Sequence, residues 1–192
     1  MKPISGYKAE APGTSYPMLP KGLYIAKISD AKVEGDEPDQ QLVIRVDITE
    51  GEYAGYYTKR YKNDSQGGGR WEAKYKGDIR LQIPDERNTK RQHTEWDLNK
   101  FNKAMWAIED SNDGYHWDWN EKGLKGKAVG INVRQGTFNG NPYTSIGRLE
   151  SVKWIRDGKA KLMPDMAPRG DSQPTASVQG GFTPVEDEEI PF

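Results

Sequence analysis

Residues 41–48 read Gln-Leu-Val-Ile-Arg-Val-Asp-Ile, with Leu42, Ile44, Val46 and Ile48 alternating onto one face and Arg45 and Asp47 on the other. A period of two over eight residues, carried by β-branched side chains, predicts a half-buried strand and excludes a helix. Such a strand must pair, and its flanks supply partners. Residues 22–33 place Leu23 and Ile25 opposite Tyr24, Ala26 and Ile28, a second strand long enough to bend. Turn-rich 35–39 and 50–55 bracket the central run, and 56–62 (Tyr-Tyr-Thr-Lys-Arg-Tyr-Lys) reads as a third strand. Its alternation puts Tyr57, Lys59 and Tyr61 on one face and Tyr56, Thr58 and Arg60 on the other. Three strands joined by short turns form a meander.

The pattern then breaks. Gly67, Gly68 and Gly69 predict a loop, and 79–83 reads as a short extra strand before Pro84. Within 97–109, Leu98, Phe101, Met105 and Ile108 recur at spacings of three and four, which predicts one amphipathic helix. An aromatic connector, 115–120, leads to two further strands. These are 126–134, with Val129, Ile131 and Val133 alternating, and 143–152, joined across the Asn139-Gly140 turn. Trp154 and Ile155 are expected to close the core. Three strands, a helix and a hairpin make the chain mainly β, in the strand order of an OB-fold: a five-stranded, partly open barrel with its helix between strands three and four. Gly22 and Gly55 suit its corners. An α+β sandwich has the same element order.

The organisation follows from composition. Residues 1–21, punctuated by Pro3, Pro12, Pro17 and Pro20, form an irregular strap in which Tyr7, Tyr16 and Leu19 can pack on the body. The body spans 22–156. From 157 the chain turns to Gly, Pro, Ser and Gln, which predicts a flexible linker over 157–185. The last residues are Glu186, Asp187, Glu188, Glu189, Ile190, Pro191 and Phe192. Four carboxylates before an apolar plug cannot fold alone, but they suit capture by a partner with a basic rim and an apolar pocket. Phe192 would be the anchor and Ile190 a second contact; a plain solubilising tail is the simpler alternative.

Charge and residue usage narrow the chemistry. The chain carries 28 basic and 29 acidic residues; setting aside the tip's four acids leaves 28 against 25, a body of +3. Tyr and Trp number 10 and 6 against 4 Phe, a bias toward half-exposed aromatics. The absence of cysteine excludes disulfides, thiolate metal sites and a cysteine nucleophile. His93 and His116 belong to no metal-binding spacing, no constellation for nucleophilic or acid–base catalysis is present, and Gly67–Gly69 with Arg70 lacks the Lys-Ser/Thr of a phosphate loop. No metal, cofactor or enzymatic activity is expected. Asp110, Asp113, Asp118 and Glu121 read as helix-end and turn residues rather than a metal cluster. No apolar run reaches membrane-spanning length and the first residues lack a signal-peptide core, so a cytoplasmic protein is expected.

Sequence-tolerant binding of single-stranded DNA needs cations for phosphates and aromatic faces for bases. The interval 56–80 supplies both in Tyr57, Lys59, Arg60, Tyr61, Lys62, Arg70, Trp71, Lys74, Tyr75, Lys76 and Arg80. Part of this set must instead pack in the core, since one tyrosine face of a strand turns inward. Lys125, Lys127, Arg134, Tyr143 and Arg148 are secondary candidates, and Trp117 and Trp119 suit either stacking or anchoring.

The ending resembles the acidic tip of bacterial and phage single-stranded DNA-binding proteins, a run of Asp/Glu closed by Ile-Pro-Phe. Over about 16–155 the body is loosely similar to phage-encoded proteins with an OB-like core. Gly22-Leu23-Tyr24, Leu42-Val43-Ile44, Trp117-Asp118-Trp119 and Leu124-Lys125-Gly126-Lys127 carry that likeness. The resemblance implies a protein that coats single-stranded DNA in the cytoplasm of a bacterial host and recruits replication, recombination and repair proteins through 186–192. Homo-oligomers are compatible with it. An adaptor that displays the tail without holding DNA is the alternative.

Overall fold

The computed structural model describes residues 16–66, 73–88 and 94–169. Arg70, Trp71, the first 15 residues, and the expected linker and tip from 170 onward, including 186–192, lie outside the described residues.

Alternation becomes strand wherever one face finds a core. β1 (Gly22–Glu34) buries Ala26 and Ile28, and β2 (Gln41–Ile48) buries Leu42, Ile44, Val46 and Ile48. β3 is Asp78–Gln82, and the last hairpin is β4 (Ala128–Phe138) with β5 (Asn141–Glu150), turning at Asn139-Gly140. Every pairing is antiparallel, in the order β3-β2-β1-β4-β5. β1 is shared: Gly22 to Lys27 pair with β4, and Ala26 to Glu34 pair with β2, with a register shift between Ile28 and Asp30. A long strand that changes partner at a bulge coils the sheet. The edge strands β3 and β5 approach each other without pairing, so the sheet is open. A mainly β chain with a five-stranded antiparallel sheet is therefore correct; among the described residues that sheet does not close into a barrel.

The third expected strand is a helix. Residues 56–62 lie in α1 (Tyr56–Gln66), and the third strand is the short run around 79–83. Asp47, on the outward face of β2, causes the difference. Its carboxylate accepts from the backbone N–H of Tyr57 at 3.0 Å and of Thr58 at 3.2 Å, capping the helix start with a negative charge. Gly55 enters the helix at φ 74° and is no barrel corner. Tyr56 and Tyr57 are both buried, with Tyr56 accepting from Leu19 N–H and donating to Pro17 C=O, which pins residues 16–19 to the body.

α2 (Thr94–Ser111) lies between β3 and β4 and buries Phe101, Ala104, Met105 and Ile108; Leu98, expected in that stripe, is exposed. A 3-10 turn at Glu121–Leu124 buries Leu124. α3 (Val152–Arg156) ends the body, capped by the Ser151 hydroxyl. Trp154, expected to close the core, is 42% exposed and packs edge-on against Trp106 instead.

Residues 159–169, expected as linker, run along β4. Met166 N–H donates to Gln135 C=O, Arg169 N–H to Thr137 C=O, and Asn139 N–H to Arg169 C=O, at 2.8 to 3.0 Å. This strap occupies the edge of β4 beyond the last residue paired with β1. Asn132, fully buried, fixes its start: Nδ2 donates to Lys161 C=O and to Glu150, and Oδ1 accepts from Met163 N–H. Lys21 and Asp165 pair across the surface at 3.0 Å.

No helix among the described residues is long and apolar enough to cross a membrane.

Candidate functional site

The face of β1, β2 and β3 turned away from the core is mostly polar, with Val43 buried among its charged neighbours. Register places Lys32, Val43 and Arg80 in one row and Asp30, Arg45 and Asp78 in the next. α1 and the segment 73–77 border this face. Gly77 lets the segment lie flat: a Cβ there would fall 2.5 Å from Val46 O and 2.8 Å from Tyr57 Cγ. The Gly77 carbonyl accepts from Val46 N–H, and Tyr75 Oη donates to Val46 C=O at 3.0 Å.

The result is a cleft of about 660 Å³ lined by Lys32, Glu34, Arg45, Tyr61, Lys74, Tyr75, Lys76, Asp78 and Arg80. Five of these side chains are basic and two acidic. Arg45 binds Asp78 through two bonds of 2.9 and 3.1 Å while its guanidinium lies 4.7 Å from the centre of the Tyr75 ring. Burial pushes the Tyr75 phenol up to about 12, so the ring is neutral. Hydrogen bonds from Lys32 and then Arg80 hold Glu34 down at about 2. Tyr61, 41% exposed, meets Tyr75 at 5.9 Å between ring centres. A second cleft of about 540 Å³ adjoins at Lys76 and is lined by Tyr16, Met18, Arg60, Tyr143 and Ser145. The Nε of Arg60, buried there without a hydrogen bond, faces the Asp64 carboxylate across 3.7 Å.

The structure thus gathers Tyr61, Lys74, Tyr75, Lys76 and Arg80 at one cleft and Arg60 and Tyr143 at the next. It removes Tyr57: the ring is 4% exposed within the aromatic core, and burial raises its phenol far above the usual range, so it has no face to offer a base. Lys59 turns back to Ala54 C=O, and Lys62 is exposed on α1 away from both cleft linings. Lys125 and Lys127 flank the turn after Leu124, where Lys127 lies over the Tyr115 ring at 4.3 Å; neither lines these clefts. Arg134 and Arg148 line a third cleft, between β3 and β5. Lys32, Arg45 and Tyr16 were not foreseen, although alternation already turned Arg45 away from the core.

Trp119 is 67% exposed, held at φ 63° and stacked on Phe101 at 5.7 Å, whereas Trp117 is half-buried. Among the acidic quartet, Asp110 accepts from Ser151, Asp113 pairs with Lys153, and Asp118 accepts from Asn120 N–H. Among the described residues no group of three or more His, Cys, Asp or Glu could hold a metal ion. The chain matches no protein-family model and no curated protein.

Proposed function

We propose that the protein binds single-stranded DNA along the outer face of β1, β2 and β3, and that residues 186–192 engage replication, recombination or repair proteins. One observation carries the DNA reading: two clefts meet at Lys76, with a basic excess in the larger and tyrosine rings in both. Lys74, Lys76 and Arg80 would take phosphates; Tyr61 and Tyr143 would offer ring faces to bases. Tyr75, covered on one side by Arg45, positions Tyr61 rather than stacking a base itself. In this reading the sheet is an OB-like barrel left open between β3 and β5: β1 is shared between β2 and β4, and α2 links β3 to β4.

The test is titration of oligo(dT) at low salt, with duplex of the same length as control. Tight binding to the single strand, falling linearly on a log–log plot against salt, is expected as counterions are released. Absence of binding, or equal affinity for duplex, overturns the reading. Phe192 deletion is expected to abolish partner capture while leaving oligo(dT) affinity intact or higher.

Glu34 gives a finer check. It occupies Lys32 and Arg80, so Glu34→Gln is expected to raise oligo(dT) affinity by roughly three- to tenfold. Because the folded carboxylate titrates at about 2, below its ordinary 4.5, its ion pairs are present above that ordinary value and lost as pH falls toward 2. The gain should therefore be constant across about pH 5–8 and shrink only in stronger acid. A gain that varied within that window would assign the effect to another group.

A further inference from the structure

Where β3 and β5 fail to pair they leave a cleft of about 410 Å³ beneath the first half of α2. Its floor is apolar, with Leu81, Ala104 and Leu149. Its rim is basic: Lys100 and Lys103 from α2, Arg134 from β4 and Arg148 from β5, with no carboxylate among the lining residues. Arg148 is already held by Glu150 and Lys161 C=O. Arg134 is not held: its Nε is buried and has no hydrogen-bond partner. That one buried N–H goes without an acceptor until a ligand brings one, while the rest of this half-buried side chain still meets solvent. The local backbone makes room for it. β5 shifts register opposite Asn132 and Val133, and Gly147 in that bulge lets Arg134 cross it; a Cβ there would sit 3.2 Å from Arg134 Cδ and 2.7 Å from Met163 Sδ. Trp96, 62% exposed, stands at the cleft with Lys100 5.3 Å from its ring centre.

We infer that this seam is a second nucleotide site, with a base against Trp96 and the apolar floor and its phosphate on Arg134. The inference rests on the proposed DNA binding and extends it. β3 borders both clefts, with Arg80 on the outer one and Ile79 and Leu81 on the seam. A single strand leaving Arg80 therefore reaches the seam by passing over the free edge of β3. Its volume falls at the small-ligand end of binding pockets, so it takes one nucleotide rather than a stacked run. A planar base with an adjacent phosphate also suits a small apolar floor beside the one rim guanidinium whose Nε has no partner better than an extended acidic peptide, whose carboxylates are spread along its length.

The experiment compares a short oligo(dT) of about 8 nucleotides, which the outer face can hold alone, with one of about 30. Arg134→Gln and Trp96→Ala are expected to leave affinity for the short strand unchanged and to weaken the long strand about tenfold, with Arg134→Gln also lowering the salt slope by about one. Arg134→Lys should restore most of the loss. Thermal unfolding of each variant separates folding defects from binding, and Lys103→Gln, on the exposed side of α2, supplies a second variant with no packing role. If the wild-type protein binds both strands and no seam variant changes the long-strand affinity, the inference fails while the proposed function stands. If the wild type binds neither strand, both fail. If the peptide Glu-Asp-Glu-Glu-Ile-Pro-Phe binds the wild type and not Arg134→Gln, with long-strand affinity unchanged, the seam is a peptide site and the inference is overturned.

Discussion

Replacing Asn132 by alanine is expected to lower the free energy of unfolding by about 2–4 kcal/mol and to release residues 161–169 from β4. Asn132 is fully exposed to neighbours and not at all to water. It satisfies Lys161 C=O, Met163 N–H and part of Glu150, itself a buried carboxylate in β5. Removing it leaves a buried amide without a partner and gives Glu150 only Arg148, while the gap is too polar to be filled by repacking. Denaturant unfolding measures the first effect. Hydrogen exchange at the Met163, Met166 and Arg169 amides measures the second, since all three are protected only by the strap's own bonds. Faster exchange at these amides with unchanged global stability would mean that the strap docks independently of the core; unchanged exchange would refute the anchoring role.

Substituting Gly77 by alanine is expected to cost about 3 kcal/mol and to disorganise the outer cleft. The added methyl meets Val46 O at 2.5 Å, and a main-chain carbonyl fixed within β2 cannot yield cheaply. It also meets the Tyr75 and Tyr57 rings, so segment 73–77 must lift, carrying Lys74 and Lys76 away from Arg80. Tyr75→Phe is the control. It loses the 3.0 Å bond to Val46 C=O and the Thr58 side-chain bond, about 1 kcal/mol each, and keeps the ring beneath Arg45. Thermal unfolding with near-ultraviolet circular dichroism distinguishes the two. A Gly77→Ala protein as stable as Tyr75→Phe would show that the segment is not wedged against β2.

The contrast between elements explains what could be read from the sequence. β2, β4 and α2 announce themselves because a single face of each meets the core: Ile44, Ile131 and Ile108 lie at its centre and follow the expected periods. α1 does not, because its cap comes from outside. Asp47 is ten residues before Tyr57, and no local pattern shows that a carboxylate on the outer face of one strand will hold the first N–H groups of the next element. Without it, three tyrosines at β-favouring positions read as strand. The candidate site inherited that error in part. Tyr57 was grouped with Tyr61 by a period of two; four apart on a helix they still share a face, and it is depth that separates them, Tyr57 lying in the core and Tyr61 at its margin. Lys74, Lys76 and Arg80 were identifiable from composition alone, since loop and edge-strand cations face solvent whatever the fold; the half-buried position of Tyr75 was not. Asn132 was hidden by its own strand: between Ile131 and Val133 it occupies an outward position that alternation assigns to water, and only the returning strap covers it.

That returning strap also sets a length scale. Bonds to β4 hold the chain as far as Arg169, beside the Asn139-Gly140 turn, and not only as far as Asp157. Under the proposed function, a tether counted from 170 to 185 is roughly half as long as one counted from 157. Were 170–185 the flexible linker that their composition predicts, the volume searched by the free end would scale as about the three-halves power of length, and the acidic tip would be about two- to threefold more concentrated around the protein surface. Each residue of strap that peels from β4 lengthens the leash, so the grip of Asn132 acts as a governor on how far a recruited partner can roam.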